Sequence, residues 1–162
     1  MFPLEIETLA RLLVDEARSR SLRLVTAESC TGGLVAGAIC AVAGASDVFE
    51  RGFVTYSNRA KQELLGVPGD LIADLGAVSE PVARMMAEGA LENSNAHLAV
   101  AITGVAGPGG GTPMKPVGTV HIATARSNQG LMHQQHFFEH ASREGVQLAS
   151  VQAAIEALRA RI

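Results

Sequence analysis

Cysteine is scarce in this 162-residue chain, with only Cys30 and Cys40. Their spacing fits neither a redox pair nor a zinc site, and two cysteines supply no disulfide framework, so the expected compartment is a reducing cytoplasm. Charge is sparse as well. Asp, Glu, Lys and Arg make up 18% of the residues and the formal net charge is -3, so no global basic field draws nucleic acid and any anionic ligand must be met by a local pocket. Long apolar runs are missing, none nearing the roughly 18 residues of a membrane helix. The opening "MFPLEIETLARLLVDEARS" carries acids throughout and has no basic lead, so it is not expected to act as a signal peptide. Neither a nucleic acid nor a membrane is therefore an expected partner. What is present is a chain 48% hydrophobic with 17 glycines, long enough to enclose a core, and residues 1–162 are expected to form one domain.

Apolar spacing orders the elements. Residues 4–19 place Ile6, Leu9, Leu13 and Ala17 at helical intervals, with acids in the first turn. Residues 22–27, "LRLVTA", read as a strand, and "CTGGLVAGAICAVA" after it as a buried helix of small residues. Residues 47–56 read as a second strand, with Ser57 or Asn58 capping the helix "RAKQELLG". "AVSEPVARMMAEGALENS" is a helix with Ser79 as cap, Pro81 in its first turn and Val82, Met85, Met86 and Ala90 on one face. Residues 97–104 look like a central strand, followed by a loop rich in glycine and proline. "VGTVHIATA" and "GLMHQQHFFE" around "RSNQ" make a hairpin, and a long helix starts at the cap Ser142. No repeat, low-complexity tract or linker interrupts the series. Helices alternating with strands, then a hairpin and a last helix, predict an α/β fold, a three-layer α/β/α domain with a mixed sheet. Ligands of open α/β sheets collect beyond the carboxyl ends of strands. Ser29, the segment from Tyr56 to Lys61 and the run from Gly104 to Gly111 all follow strands, and are expected to share one cleft.

The stretch "TAESCTGGLVAGA" crowds hydroxyls, a thiol and glycines where a strand hands over to a helix. Ser29 has two readings there: a cap of the helix, or a nucleophile whose oxyanion is met by free backbone N–H groups at the turn. A serine nucleophile needs a base. His97, His121, His133, His136 and His140 are available, but none obviously faces Ser29, and Lys61 is the sharper candidate if burial lowers its pKa from about 10.4. The histidines of "GLMHQQHFFE" do not suggest a metal, because on a strand His133 and His136 point to opposite faces. Cys30 reads as a small buried filler. "GVAGPGGG" can turn successive N–H groups inward as an anion nest, matching neither a Walker loop nor a dinucleotide fingerprint, and Lys115 and Arg143 are the cations near it in the predicted arrangement.

Taken together and in order, "AESCTGG", "GFVTYSNRAKQELLGV", "LGAVSEPVARMMAEGAL" and "AITGVAGPGGGTPMKPVGTVHIA" resemble the signature blocks of the CinA C-terminal domain family, the nicotinamide-nucleotide amidases. The resemblance runs from about Leu24 to Ala125 and more weakly to the end. It implies a cytoplasmic amidohydrolase converting nicotinamide mononucleotide and water to nicotinate mononucleotide and ammonia. On the family pattern Ser29 is the nucleophile, Lys61 its general base, and Tyr56 supports the pair or the substrate. Thr31, Gly32, Gly33, Thr103, Gly104, Gly107, Gly109 and Gly110 would bind substrate, the glycine loop holding the phosphate, with Arg143 as a further phosphate contact. Such acyl transfer calls for no cofactor and no metal. The chain departs from the pattern at Ala141, Ser142 and Gln147, where Gly-Asp and a second arginine are frequent. The resemblance further implies the stand-alone form, without the molybdopterin-binding-like domain of longer relatives, and a homo-oligomer. Two rivals stay open: a non-catalytic partner module, which expects Ser29 and Lys61 apart or solvated, and an amidase of similar machinery with another substrate.

Overall fold

The computed structural model describes residues 1–139 and 142–162. His140 and Ala141 lie outside the described residues, and with them one candidate base and one departure from the family pattern. The described elements run α1 (Leu4–Ser19), β1 (Leu24–Glu28), α2 (Leu34–Cys40), β2 (Phe49–Val54), α3 (Asn58–Leu65), α4 (Gly69–Leu75), α5 (Glu80–Glu92), β3 (Leu98–Gly104), β4 (Thr119–Arg126), β5 (Gly130–Phe137) and α6 (Arg143–Arg159).

The sheet has the order β2-β1-β3-β4-β5. The first three strands are parallel and the hairpin β4–β5 joins antiparallel, so the mixed sheet expected from the sequence is what forms. Each sheet face carries its own core, as strand alternation demands. Leu24, Leu98, Val100, Ile102, Val120 and Ile122 pack with α1, α2 and α6 on one side. Val25, Ala27, Ala99, Ala101, Ala123 and Ala125 meet α3, α4 and α5 on the other, the alanines letting α5 lie close to the strands. Fully buried Leu13, Ile39, Ile155 and Leu158 anchor the first layer, at roughly 1.5–3 kcal/mol of burial each.

Several local expectations change. The helix read from Cys30 onward begins only at Leu34, because Gly32 and Gly33 hold φ of 58° and 103°, left-handed values outside a right-handed helix. Ser29 is not its cap: Glu28, the last residue of β1, accepts from the N–H groups of Val35 and Ala36 at 2.8 and 3.0 Å. The strand read over 47–56 shortens to six residues. Ser79 precedes α5 but its hydroxyl donates to the Gly76 carbonyl rather than accepting from the helix. Ser57 and Ser142 do cap, accepting from Ala60 and Gly145 N–H groups at 3.0 Å. The short helix α4 was not anticipated.

The chain leaves β1 outward to β2 and returns to β3 on β1's other side, and at such a point the connections leaving the carboxyl ends separate into a crevice. The segments after β1, β2 and β3 border it.

Candidate active site

A cleft of about 280 Å³, near the lower end of the volumes small-molecule sites occupy, is lined by Ser29, Cys30, Tyr56, Asn58, Lys61, Ala77, Val78, Thr103, Arg143 and the loop residues Gly104, Val105, Ala106, Gly107, Gly109 and Gly110. The three strand-end segments singled out in the sequence therefore meet in one place. A hollow of about 450 Å³ elsewhere, between α1 and the end of α2, is lined by Glu7, Arg11, Asp15, Ala38 and Ala41 to Ala43 and brings no nucleophile beside a base.

Lys61 is built into the inner face of α3. Ser57 starts that helix, and Lys61 and Leu65 follow at four-residue spacing, so both side chains turn inward. Only 1% of Lys61 is exposed. Its Nζ lies 2.9 Å from Ser29 Oγ and donates to the Thr55 carbonyl at 2.9 Å. Burial lowers its pKa from the usual lysine value, the neighbouring Cys30 opposing the shift. Thr55 is itself fixed by its N–H to the Glu28 carbonyl, 2.8 Å, which ties the end of β2 to the end of β1.

Ser29 is held by its own N–H, which donates to the Ile102 carbonyl of β3 at 2.9 Å. Among the described residues, no backbone carbonyl accepts from the N–H groups of Cys30 or Thr31, or from those of Ala106, Gly107, Gly109 and Gly110. The start of α2 is different, since Glu28 already occupies the Val35 and Ala36 donors. Any anion in the cleft is thus served by the turn after Ser29 and by the glycine loop, not by the helix. Cys30 is inert beside them, its thiol pushed up to about 12 by burial.

Arg143 reaches back from α6 to the loop and to Tyr56, donating to the Gly107 carbonyl at 2.6 Å and to the Tyr56 hydroxyl at 2.8 Å. Tyr56 therefore stands at the rim, 60% exposed, with Arg143 and not the Ser29–Lys61 pair as its partner. Thr103 donates to the Ala77 carbonyl at 2.9 Å, fastening the segment before α5 to the cleft floor. Thr31, Gly32 and Gly33 are not among the lining residues; Thr31 is buried with its hydroxyl unpartnered, and the glycines shape the turn. Lys115 donates to the Leu75 carbonyl and lies outside the lining.

The histidines are placed elsewhere. His97 accepts from the Arg23 N–H at 2.9 Å, at the opposite ends of the strands. His133 and His136 do face opposite sides of β5, as expected: His133 Nδ1 meets Glu80 on α5 at 2.9 Å, while His136 stacks on Phe138. His133 Nε2 lies 2.9 Å from Nδ1 of the buried His121. Among the described residues no cluster of His, Cys, Asp and Glu is arranged to hold a metal. Sequence reasoning missed Glu28 and the Thr55 carbonyl, and met Gln147 only as a departure from the family pattern. An acid ending an otherwise apolar strand was a usable signal for the first, since such a carboxylate is rarely buried unless hydrogen-bonded.

A three-layer α/β/α domain with a buried serine and lysine in a strand-end cleft is the class that this fold and site define. The comparisons with known proteins are specific: the CinA C-terminal domain model matches residues 6–162, and the chain belongs to that family. It is 58% identical over 118 residues to a CinA-like protein of Akkermansia muciniphila and 46% identical over 159 residues to one of Syntrophus aciditrophicus. Those alignments cover 73% and 98% of this chain but 28% and 38% of the curated relatives. Among solved structures, the competence/damage inducible protein CihA from Agrobacterium tumefaciens superposes with a TM-score of 0.97 at 48% identity, covering 99% of this chain and 97% of that one. A CinA superfamily protein from Escherichia coli follows the same fold at a TM-score of 0.92 and 38% identity, with coverage of 97% and 90%. No helix among the described residues is long and apolar enough to cross a membrane.

Proposed function

We propose that the chain is an amidohydrolase using Ser29 and Lys61, and that its substrate is nicotinamide mononucleotide, hydrolysed to nicotinate mononucleotide and ammonia. The observation that carries the reading is the 2.9 Å contact between a buried lysine amine and a serine hydroxyl at a cleft. The partner-module alternative expects that pair separated or solvated, and it is neither.

A neutral amine has two hydrogens and one lone pair. With one hydrogen on the Thr55 carbonyl, the lone pair is free to take the proton of Ser29 as Oγ attacks the carboxamide carbon. The carbonyl oxygen gains the negative charge of the tetrahedral intermediate, for which the N–H of Cys30, on which no backbone carbonyl among the described residues sits, is the adjacent donor. Collapse breaks the C–N bond as the Lys61 ammonium gives its proton to the carboxamide nitrogen, which leaves as ammonia, and an acyl-Ser29 ester remains. Water then attacks that ester, Lys61 takes its proton, and return of the proton to Ser29 releases the carboxylate. The free N–H groups of the glycine loop and the Arg143 guanidinium fit a phosphate at the other end of the cleft.

Ammonia release from nicotinamide mononucleotide by the purified protein tests this. Ser29→Ala and Lys61→Ala are each expected to lower kcat by a factor on the order of 10³ or more. Unchanged turnover in both variants overturns the mechanism. Turnover of another carboxamide with none of the nucleotide keeps the pair and overturns the substrate.

A further inference from the structure

The first two turns of α6 fasten the cleft at more than one point. Arg143 and Gln147, four residues apart, share a helix face. Arg143 ties the glycine loop and Tyr56, while Gln147 Nε2 donates to the Cys30 carbonyl at 3.1 Å. Gln147 is half-buried and does not line the cleft. Its contact is with the backbone immediately after Ser29.

That backbone is pinned one peptide at a time. The Ser29 carbonyl accepts from the Gly32 N–H at 3.0 Å, and the Cys30 carbonyl accepts from Gln147. Because a trans peptide is planar with its N–H opposed to its C=O, holding the two carbonyls sets the directions of the Cys30 and Thr31 N–H groups. Those are the donors after the nucleophile that carry no backbone acceptor. Glu28 fixes the far end of the same turn by holding Val35 and Ala36. Among the described residues, the one long-range side-chain contact on the turn's own carbonyls is therefore that of Gln147.

We propose that Gln147 is a positioning residue for acyl transfer: through the Cys30 carbonyl it holds the turn whose N–H groups receive the oxyanion. It touches no substrate and moves no proton. This rests on Ser29 acting as the nucleophile, and it separates α6 into a substrate-facing residue, Arg143, and one acting through the backbone, Gln147. The distinction is kinetic. A donor that matters to charge developing in the transition state lowers kcat when disturbed, whereas a ground-state contact raises KM.

The test uses two reactions of the purified chain. One is steady-state hydrolysis of nicotinamide mononucleotide. The other is phosphonylation by a fluorophosphonate, in which an Oγ–P bond forms, the P–F bond breaks, fluoride leaves and Lys61 takes the hydroxyl proton. Gln147→Met, which keeps length and loses the donor, is expected to lower kcat about tenfold with KM within twofold, and to slow phosphonylation by a similar factor. Gln147→Lys, which keeps a donor, is expected to recover most of both rates at an unchanged melting temperature. Rates of Gln147→Met within twofold of wild type in both reactions, or a loss confined to KM, overturn the proposal. If wild type phosphonylates at Ser29 but hydrolyses no nucleotide, the substrate reading fails while a slowed Gln147→Met still upholds the positioning role. A wild type inert in both reactions sinks the two together.

Discussion

Lys61 sets function against stability. Its side chain is the largest that is fully buried among the described residues, and burial depresses its pKa, so the folded state binds fewer protons than the unfolded chain between the folded value and about 10.4. Stability from this group therefore rises with pH through that window. The cost is fully present below the folded pKa and gone above about 10.4. Lys61→Met removes the titration, and each unit of depression is worth about 1.4 kcal/mol. The melting temperature of the variant relative to wild type is expected to be highest near neutral pH and to decline as pH approaches 10; a pH-independent difference would contradict burial as the cause. The same depression predicts a kcat/KM profile whose rising limb falls below the unperturbed lysine value. At the rim the expectation is different. Tyr56→Phe removes only the hydroxyl that accepts from Arg143, so KM for the nucleotide should rise several-fold with kcat little changed, measurable by initial rates at saturating and limiting substrate.

The helices that place these residues depend on close approaches. A Cβ at Gly89 of α5 would lie 2.0 Å from the Leu65 carbonyl oxygen of α3, so Gly89→Ala must push apart the two helices that seat Lys61. Alanine's better helix propensity returns at most about 1 kcal/mol, while overpacking typically costs about 1–3 kcal/mol. Net destabilisation in urea melts is expected, together with a fall in kcat because Lys61 shifts with α3. A stabilised, fully active Gly89→Ala would show that the helices have slack. The elements themselves were largely legible. The apolar face of α5, the hairpin around "RSNQ" and the cap at Ser142 followed from period and turn chemistry. Helix α4 escaped because "GDLIADL" gives only two turns between Pro68 and Gly76, too short for a period to emerge. The start of α2 was misplaced because small residues near two glycines read as helix, whereas positive φ at Gly32 and Gly33 makes them a turn. Nothing periodic pairs Ser29 with Lys61, which stand 32 positions apart. Their meeting depends on β1 and β2 lying side by side; the sequence pointed to a shared cleft through the strand-end position of both segments, and the family resemblance added the roles of the pair.

Across the whole molecule the buried titratable groups pull stability in opposite directions, which predicts the shape of its pH dependence. On the acid side stand His121 and His133. With the Nδ1–H of His133 turned to the Glu80 carboxylate, a neutral His133 ring leaves its Nε2 to accept from His121 Nδ1–H, and a proton on that nitrogen would break the contact. Burial depresses both pKa values, the neighbouring ring and Lys115 adding to the shift at His121, and Arg84 and His136 at His133, with Glu80 opposing. A depressed histidine costs nothing above its unfolded value of about 6.5, and the cost accrues as pH falls from there to the folded value. On the alkaline side Lys61 favours the fold increasingly up to about 10.4. Cys30 does the reverse: with its thiol pushed up to about 12, the unfolded chain ionises from about 8.5 while the folded one does not, so stability falls with rising pH across that interval. The half-buried acid Glu16, held down by Arg159, adds stability that is lost only below about pH 4.3. Melting temperature should therefore climb from pH 5 to about 7 and flatten where Lys61 and Cys30 compete. Two variants separate the contributions. His121→Phe is expected to shallow the climb below pH 7 and leave the alkaline limb alone; Cys30→Ala should make stability rise above pH 8.5, because only Lys61 remains of the opposing pair. An alkaline limb in Cys30→Ala that matches wild type would mean the thiol is not sealed as the fold places it, and the packing around the turn after Ser29 would have to be looser than these contacts require.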